Sequence, residues 1–549
     1  MTGLGYTPPE GDAGAFYEGF EWDLPGTYNV ADVALDAPDG DEALFHVDGG
    51  EARSFTYGDL AAAADAVAAA LRDRGVERGD RVAVCLPTCP ELLVAHLATY
   101  RLGAVVVPLS VILGEEGLAH PIDSTEPDVL VVDERTAASA SGDALAGPER
   151  WRVTVGPDGY AEGPLGGLAA RAERGAGVDP AATAPDDPAL VLYTSGTSGR
   201  PKGVVQGHAY LAGSLPGYHC WFHLFDRESA RAARVWSPSE WAWAGALFDV
   251  VFPTLALGGT VCSRLRRTGF DPEVALRFLE RAGVSHAFFP PTAVGRVRAG
   301  GDPGAFDLSS LSVLMCGGEK LAPALRRWAE DALDCAVNET YGQTEANALA
   351  GDCQAAFPPR EGAMGRPYPG HDVAVVDEDG DHVPRDGETL GEIAVATPDP
   401  VVFERYWGDP DATDGAFDDA GRLRTGDLAS VDEEGYLSHA GRKDALVVTS
   451  GYRVSPLEVE RALAENPAVA EAVVGGVPDE ERGQRVKAYV VLADRDPDEA
   501  GDDLRERLRD LVRERLGAYK VPREIAFVEE VPETRSGKAD RAALFGDRE

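Results

Sequence analysis

The sequence predicts an α/β protein built in parts: stacked α/β subdomains, a β-barrel-like subdomain, and a small α+β domain at the C-terminus. Three observations carry this reading. The chain has 549 residues, and such a length implies roughly three to four domain-sized units. Up to about residue 350, short apolar runs bounded by Gly, Pro and Asp alternate with helical patterns. From about 360, closely spaced strand patterns take over, and beyond Arg442 helix and strand patterns resume in a compact tail.

In chain order, residues 1–40 read as loop-rich. FTYGDLAAAADAVAAALRDRGVERGD (55–80) predicts a helix led by Tyr57, capped by Asp59 and stopped at Gly75. RVAVCLP (81–87) predicts a strand closed by Pro87, PELLVAHLATYRLGAVVVPLS (90–110) a helix and then a strand, and DVLVVD (128–133) another short strand. HAFFPP, LSVLMCGGE and LAPALRRWAEDAL (286–333) continue the alternation. HDVAVVDEDG, GEIAVAT and GYLSHAGR (371–442) supply the β-rich part, with Gly and Asp at the turns. The tail reads as helix 456–466, strands 469–477 and 485–492, helix 502–516 and strand 524–531, with an acidic solvated loop near 494–503.

The net charge is −42, from 51 basic and 93 acidic residues. Such a surface repels nucleic acid and anionic membranes. It fits a very salty cytoplasm, where the Debye length shrinks to ~3 Å at 1 M salt and self-repulsion is screened. A GC-rich genome would explain the scarcity of lysine, but not the excess of acid. The N-terminus lacks the basic start and apolar core of a signal peptide. The apolar run Trp241–Leu257 is broken by Asp249 and Pro253, against a membrane span. Seven cysteines, an odd number without a C-x-x-C pair, suit reduced cytoplasmic thiols. His219 and His223 are four residues apart and read as part of a half-buried helix rather than a metal site.

The segment VLYTSGTSGRPKGVVQGH (191–208) is the most pointed in the chain. Its glycines let backbone amides approach an anion, and Thr194, Ser195, Thr197 and Ser198 add hydroxyl donors. Lys202 adds a full positive charge. The familiar nucleotide loop has a glycine before the lysine and a hydroxyl after it. Here Pro201 precedes and Gly203 follows, so this loop holds phosphate in some other way.

YTSGTSGRPKG resembles the signature of the adenylate-forming superfamily: acyl-CoA synthetases, luciferases and the adenylation domains of nonribosomal peptide synthetases. Five further blocks follow in that family's order: GGE at 317–319, ETYGQTE at 339–345, RTGDL at 424–428, GRKDALVVTSGYRVSPLEVE at 441–460 and PETRSGK at 532–538. The resemblance is strongest to the acetyl- and medium-chain acyl-CoA synthetases. It implies an adenylation domain, 1–443, and a small mobile C-terminal domain, 444–549, that acts on ATP, coenzyme A and a small carboxylic acid with Mg2+.

The resemblance also implies roles. Thr194, Ser195, Gly196, Thr197, Ser198, Gly199 and Lys202 would grip the β- and γ-phosphates of ATP. Glu345 would hold Mg2+, and Thr344 would donate to the α-phosphate. Gly317, Gly318, Glu319, Glu339, Thr340, Tyr341, Gly342 and Gln343 would line the nucleotide pocket. Asp427 would take the ribose hydroxyls, with Arg442 beside it. Lys538 would be the adenylation lysine, Asp444 the hinge, and Gly451, Tyr452 and Arg453 the loop of the thioester step. Ala445 departs from the second acid that many relatives carry after the hinge residue. Of six lysines in the chain, 202, 443 and 538 sit in or beside these motifs.

For the acid, SEWAW (239–243) stands where these synthetases carry Asp-x-Gly-Trp. Trp243 matches the tryptophan near the acyl group, Glu240 and Ala242 depart, and Trp241 reads as core. Gly342 holds the place of a pocket-blocking tryptophan in acetate-specific relatives. With Trp243 and Gly317 it implies room for a medium-chain or branched acid. Gly245 holds the place of the ammonium-pairing Asp of amino-acid-activating relatives, which argues against an amino acid. Loading of an acyl group onto a carrier protein is the alternative to coenzyme A.

Overall fold

The computed structural model describes residues 3–133, 151–155, 178–194, 201–266, 269–449, 452–479, 482–493, 501–532 and 539–546. The chain forms two compact units, residues 1–373 with 395–423, and residues 374–394 with 424–549. The strands that position the site are, in chain order, β1 (Pro188–Thr194), β2 (Lys202–Gly207), β3 (Val313–Gly317), β4 (Ala336–Gln343), β5 (Ala346–Gly351), β6 (Arg405–Tyr406), β7 (Leu423–Val431) and β8 (Leu437–Arg442). The helices needed below are α1 (Tyr57–Arg72), α2 (Tyr210–Phe222) and α3 (Pro323–Leu333).

The first unit holds two large sheets. In one, the strands run in the order β6, β2, β1, Val105–Pro108, Arg81–Cys85, Val129–Asp133, Trp151–Val155. From β1 onward the pairs are parallel, as the alternating strand and helix patterns predict, while β2 and β6 add an antiparallel margin. The other sheet has nine strands. β3 and β4 pair in parallel near one end, and β5 folds back on β4. A cluster that includes Trp236, Phe278, Leu279, Phe289, Leu314 and Leu333 seals helices, α3 among them, onto this sheet.

Local chemistry explains the helix ends. α1 starts at Tyr57, and its cap lies three residues before the expected one. Thr56, not Asp59, is its N-cap, and Asp59 returns the bond to the Thr56 backbone in a capping box. α2 is buried on every side, not on one half. That suits a helix apolar all round. His223 is not on its face but ends it, in a left-handed conformation at φ 56. The two histidines have partners of their own: His219 Nε2 meets Tyr6 Oη at 2.6 Å, and His223 Nε2 meets Asn338 Nδ2 at 2.9 Å. All seven cysteines are free and buried. No helix among the described residues is long and apolar enough to cross a membrane.

In the second unit, Val373–Val376, Gly391–Val395, β7 and β8 make a four-stranded sheet. Five more strands (Val447–Thr449, Tyr452–Val454, Val469–Asp479, Gly483–Leu492 and Glu524–Val528) carry the helices Pro456–Ala464 and Asp502–Leu516 on a core that includes Val459, Leu463, Val474 and Leu508. The first two of these strands were not legible in the sequence. Ser455 caps Pro456–Ala464, accepting from Glu458 N–H at 3.4 Å, and its hydroxyl donates to the Ala440 carbonyl.

A strap from residue 395 to 407 crosses α2 before it enters the seven-stranded sheet as β6. His371 pins it, with Nδ1 2.8 Å from Asp399 Oδ2 and Nε2 3.1 Å from the Gly213 carbonyl. Gly213 lies so close that a Cβ there would stand 2.9 Å from the Val401 nitrogen. Gly→Ala inside a helix ordinarily gains about 1 kcal/mol, but overpacking costs about 1–3 kcal/mol. Gly213→Ala should therefore lower stability in denaturant titration. A rise would show that the strap is not seated on α2.

Candidate active site

β1 and β2 are antiparallel, with Thr194 opposite Lys202. The glycine-hydroxyl segment thus joins two antiparallel strands, and a strand follows its lysine, where a helix follows the lysine of the familiar nucleotide loop. Ser195, Gly196, Thr197, Ser198 and Gly199 lie outside the described residues. The residues that flank this segment are defined. Thr194 is half-buried and Lys202 exposed, and the Pro201 carbonyl lies 2.9 Å from His120 Nε2.

Three segments meet at Lys202. β6 pairs with β2 through Tyr406 and Val204, and Trp407 N–H donates to the Gly203 carbonyl at 2.7 Å. This sets the Tyr406 ring under the lysine, with Nζ 4.7 Å from its centroid. The Tyr406 hydroxyl donates to Glu345 Oε1 at 2.8 Å. Glu345 sits at the turn between β4 and β5. Its carbonyl accepts from Phe403 N–H at 2.8 Å, and that of Thr344 accepts from Gln206 Nε2 at 2.7 Å. One aromatic ring therefore ties the loop lysine to the carboxylate. Sequence reasoning named Lys202 and Glu345 but missed Tyr406, because FERYW carries no spacing signal.

Beside this cluster, β3 and β4 run in register, Gly317 opposite Thr340 and Cys316 opposite Glu339. Glu339 is buried, and its Oε1 accepts from Leu321 N–H at 3.1 Å. It thus braces the Gly318–Leu321 segment. Its neighbour Asp352 accepts from Arg326 Nη1 at 2.7 Å and from Glu339 N–H at 3.1 Å. Burial pushes the Glu339 carboxyl up to about 8, with Asp352 adding to the shift and the Leu321 amide and Arg326 opposing it. Tyr341, Gln343 and Glu319 are half-buried.

Gly342 differs from the sequence reading. A Cβ there would stand 2.6 Å from the Ala348 nitrogen and 3.0 Å from Asn347 Cα. The glycine is needed for the close approach of β5, and on its Cβ side backbone fills the space that the sequence reading left for the acid. Trp243 is half-buried and caps Ala244–Ala246, whereas Trp241 is core at 2% exposure.

The second unit carries a separate polar cluster. Asp427 on β7 faces Arg442 on β8, 3.7 Å from Nη1, and lies 3.3 Å from His439 Nε2. Arg442 donates to the Thr425 carbonyl at 2.9 Å and to Asp444 Oδ1 at 3.3 Å. Glu392 binds Arg424 at 2.7 Å, Lys443 at 3.1 Å and the Gly426 amide at 3.0 Å. Burial opposes its ionisation, yet the hydrogen bonds from Arg424 and Lys443 prevail and hold its carboxyl below the usual range. Tyr452 is exposed, with its ring 4.9 Å from that of Tyr519. Gly451 and Lys538 lie outside the described residues, as does the side chain of Arg453.

Residues 31–407 match the AMP-binding enzyme family, and residues 458–538 match the AMP-binding enzyme C-terminal domain. The acetyl-coenzyme A synthetase of Bacillus subtilis (strain 168) is 30% identical over 91% of this chain and 86% of its own length. The 4-hydroxybutyrate–CoA ligase 1 of Metallosphaera sedula is 32% identical over 90% of this chain and 85% of its own. Among solved structures, ATP-bound MatB from Rhodopseudomonas palustris superposes with a TM-score of 0.81 at 30% identity, covering 94% of this chain and 98% of that one.

The Glu339 shift has a definite sign. Above its ordinary value of 4.5 the unfolded chain ionises this carboxyl and the folded chain does not. The stability it contributes is complete below that value and drains as pH rises to about 8. Glu339→Gln keeps an acceptor for the Leu321 amide and removes the drain. Its stability should fall less than that of the wild type between pH 5 and 8, the difference growing by at most about 1.4 kcal/mol per pH unit. Parallel curves in denaturant titration would show that Glu339 is already ionised in the fold.

Proposed function

The chain belongs to the AMP-binding enzyme family, and we propose that it joins a carboxylic acid to coenzyme A through an acyl-adenylate. It is an AMP-forming acyl-CoA synthetase, of α/β fold with a large N-terminal and a small C-terminal part. The observation that carries the mechanism is the line from Lys202 through Tyr406 to Glu345 at the end of the glycine-hydroxyl segment. A phosphate-binding cation and a hard carboxylate are held there by one rigid ring.

A carboxylate oxygen attacks the α-phosphorus of ATP. The bond from that phosphorus to the bridging oxygen breaks, and the electron pair leaves with pyrophosphate. Two anions must meet, so positive charge and donors have to be in place beforehand. Lys202 and the glycine-hydroxyl segment hold the departing β- and γ-phosphates, and Thr344 donates to the α-phosphate. Lys538 bridges the substrate carboxylate and the ribosyl phosphate. The β3–β4 edge, Gly317 to Glu319 and Glu339 to Gln343, takes the nucleotide base. Asp427 takes the ribose hydroxyls, with Arg442 beside it.

The donor set fits Mg2+. Tyr406 engages one oxygen of Glu345, and Mg2+ asks for only one or two carboxylates when phosphate oxygens and water complete its shell. When bound, it would neutralise charge on the triphosphate.

In the second half-reaction the thiol sulfur attacks the acyl carbon. The carbon–oxygen bond to phosphate breaks, AMP leaves, and the thiol proton passes to solvent. We place the domain boundary at Asp444, about which the C-terminal domain, 444–549, turns against the adenylation domain, 1–443. The turn withdraws Lys538 and brings Gly451, Tyr452 and Arg453 to the acyl group. The acid is medium-chain or branched, as used in fatty acid metabolism, with Trp243 and Gly317 on its path. The setting is a cytoplasm rich in salt, which the charge of −42 suits.

A panel of acids assayed with ATP, Mg2+ and coenzyme A in high potassium chloride should yield AMP and pyrophosphate in equal amounts. ADP as the product would remove the proposal, and AMP release that ignores coenzyme A and needs a carrier protein would favour the carrier alternative. Lys538→Ala should depress ATP–pyrophosphate exchange by about 10²-fold or more, while transfer from a preformed acyl-adenylate to coenzyme A persists. Tyr406→Phe keeps the ring under Lys202 but loses the bond to Glu345. It should raise the Mg2+ concentration for half-maximal rate by about 10-fold or more, and an unchanged requirement would free Glu345 from the metal role.

A further inference from the structure

The helical run behind Trp243 changes its winding. Ala244–Ala246 is α-helical, Leu247–Val251 widens into a π turn, and Phe252–Ala256 returns to α. Such turns recur at functional sites. The π turn carries Asp249, the one charged residue between Trp243 and Leu257.

Asp249 is 5% exposed and Asn347 7%, so the pair is nearly enclosed without being sealed. Asn347 Nδ2 donates to Asp249 Oδ1. Burial pushes the carboxyl up to about 7 despite that bond, and among the described residues no cation contributes to holding it ionised. The second oxygen, Oδ2, lies 3.2 Å from where a Cβ on Gly245 would stand, and Phe288 lies 3.1 Å from the same point. Asn347 backs onto Gly342. The pair therefore links the turn after Trp243, on the path proposed for the acyl group, to the strand of Gly342. Tyr210, at the start of α2, is wholly buried, and its hydroxyl has no hydrogen-bond partner among the described residues. Burial first, and then the charges of Asp249 and Glu345, keep it a hydroxyl.

A buried phenol without a partner and a carboxyl with one oxygen committed are unfavourable as plain core, and each such group asks for an explanation. We propose that Asp249, Asn347 and Tyr210 form a polar floor beneath the acyl group that reads a hydroxyl on the acid, so the substrate class is a hydroxylated carboxylic acid. A hydroxyl donates one proton and accepts on its lone pairs. It gives its proton to Asp249 Oδ2 and accepts from the Tyr210 hydroxyl. A methylene in that place satisfies neither group and leaves both desolvated. The inference rests on the ligase reading above and narrows its acid.

The test compares matched acids on the full-length protein, by AMP release with coenzyme A in high potassium chloride: butyrate against 3- and 4-hydroxybutyrate, hexanoate against 6-hydroxyhexanoate, and 4-aminobutyrate. At least one hydroxy acid should exceed its parent by about tenfold or more in kcat/KM. In Asp249→Asn and in Tyr210→Phe that ratio should fall at least about fivefold toward one. Tyr210→Phe removes an unpartnered hydroxyl, so it should fold as well as the wild type and keep the test open if the aspartate variant does not. A merely structural Asp–Asn pair predicts an unchanged ratio in Tyr210→Phe, which would overturn the inference. So would plain acids or the amino acid outrunning the hydroxy acids, with the ligase reading left standing. No AMP from any acid would overturn both.

Discussion

The first unit is organised around one ring. Tyr406 lies under the Lys202 ammonium and donates to Glu345, so a contact between a cation and an aromatic face, and one hydrogen bond, fix the loop's anchor against the β4–β5 turn. Neither is strong alone, since a cation–π contact at an exposed site is worth about 0.5–1 kcal/mol. Their value is positional. The strap that delivers Tyr406 is fastened upstream by the His371–Asp399 pair over Gly213, and downstream by Trp407 on Gly203. The buried helix α2 thus sets the height of the strap, and the strap sets the ring. A scaffold of this kind places a cation and a carboxylate before any nucleotide arrives, which is what preorganised charge stabilisation requires.

The sequence made some of this legible and hid the rest for physical reasons. Lys202 stands in a string whose chemistry can be read locally, Glu345 and Asp427 were reached only through the resemblance of their motifs, and the strand–helix alternation up to residue 350 foretold the parallel sheets. Tyr406, His371 and Asp399 act through partners that only folding brings near: Tyr406 and Glu345 are 61 positions apart, and His371 and Gly213 are 158. Gly342 shows the opposite failure. A missing side chain suggested space, but a second strand can close on a glycine as readily as a ligand can. At α1 the sequence pointed to Asp59 as the cap, but the capping box gives that place to Thr56 and makes Asp59 its partner. The strands at 447–449 and 452–454 are too short for a period of two to announce them.

The second unit handles charge differently. In a chain this acidic, most carboxylates face water. Glu392 is the counter-case, buried and ringed by Arg424, Lys443 and the Gly426 amide. It fixes the strand end from which Asp427 projects. The neighbouring Arg442 is shared among Thr425, Asp427 and Asp444, so the residue proposed as the hinge is already in contact with the arginine beside the acid proposed for the ribose.

The seven buried thiols acquire a meaning once a mixed anhydride is made in the same molecule. Such an anhydride acylates whatever soft nucleophile it meets. Burial lifts Cys85, Cys262 and Cys335 to about 12, and a sulfhydryl that keeps its proton is a poor attacker. Lysine amines, the other hazard, are down to six in the whole chain. An enzyme so furnished offers its own intermediate little to react with, and its lifetime under turnover is protected by the residues it does without.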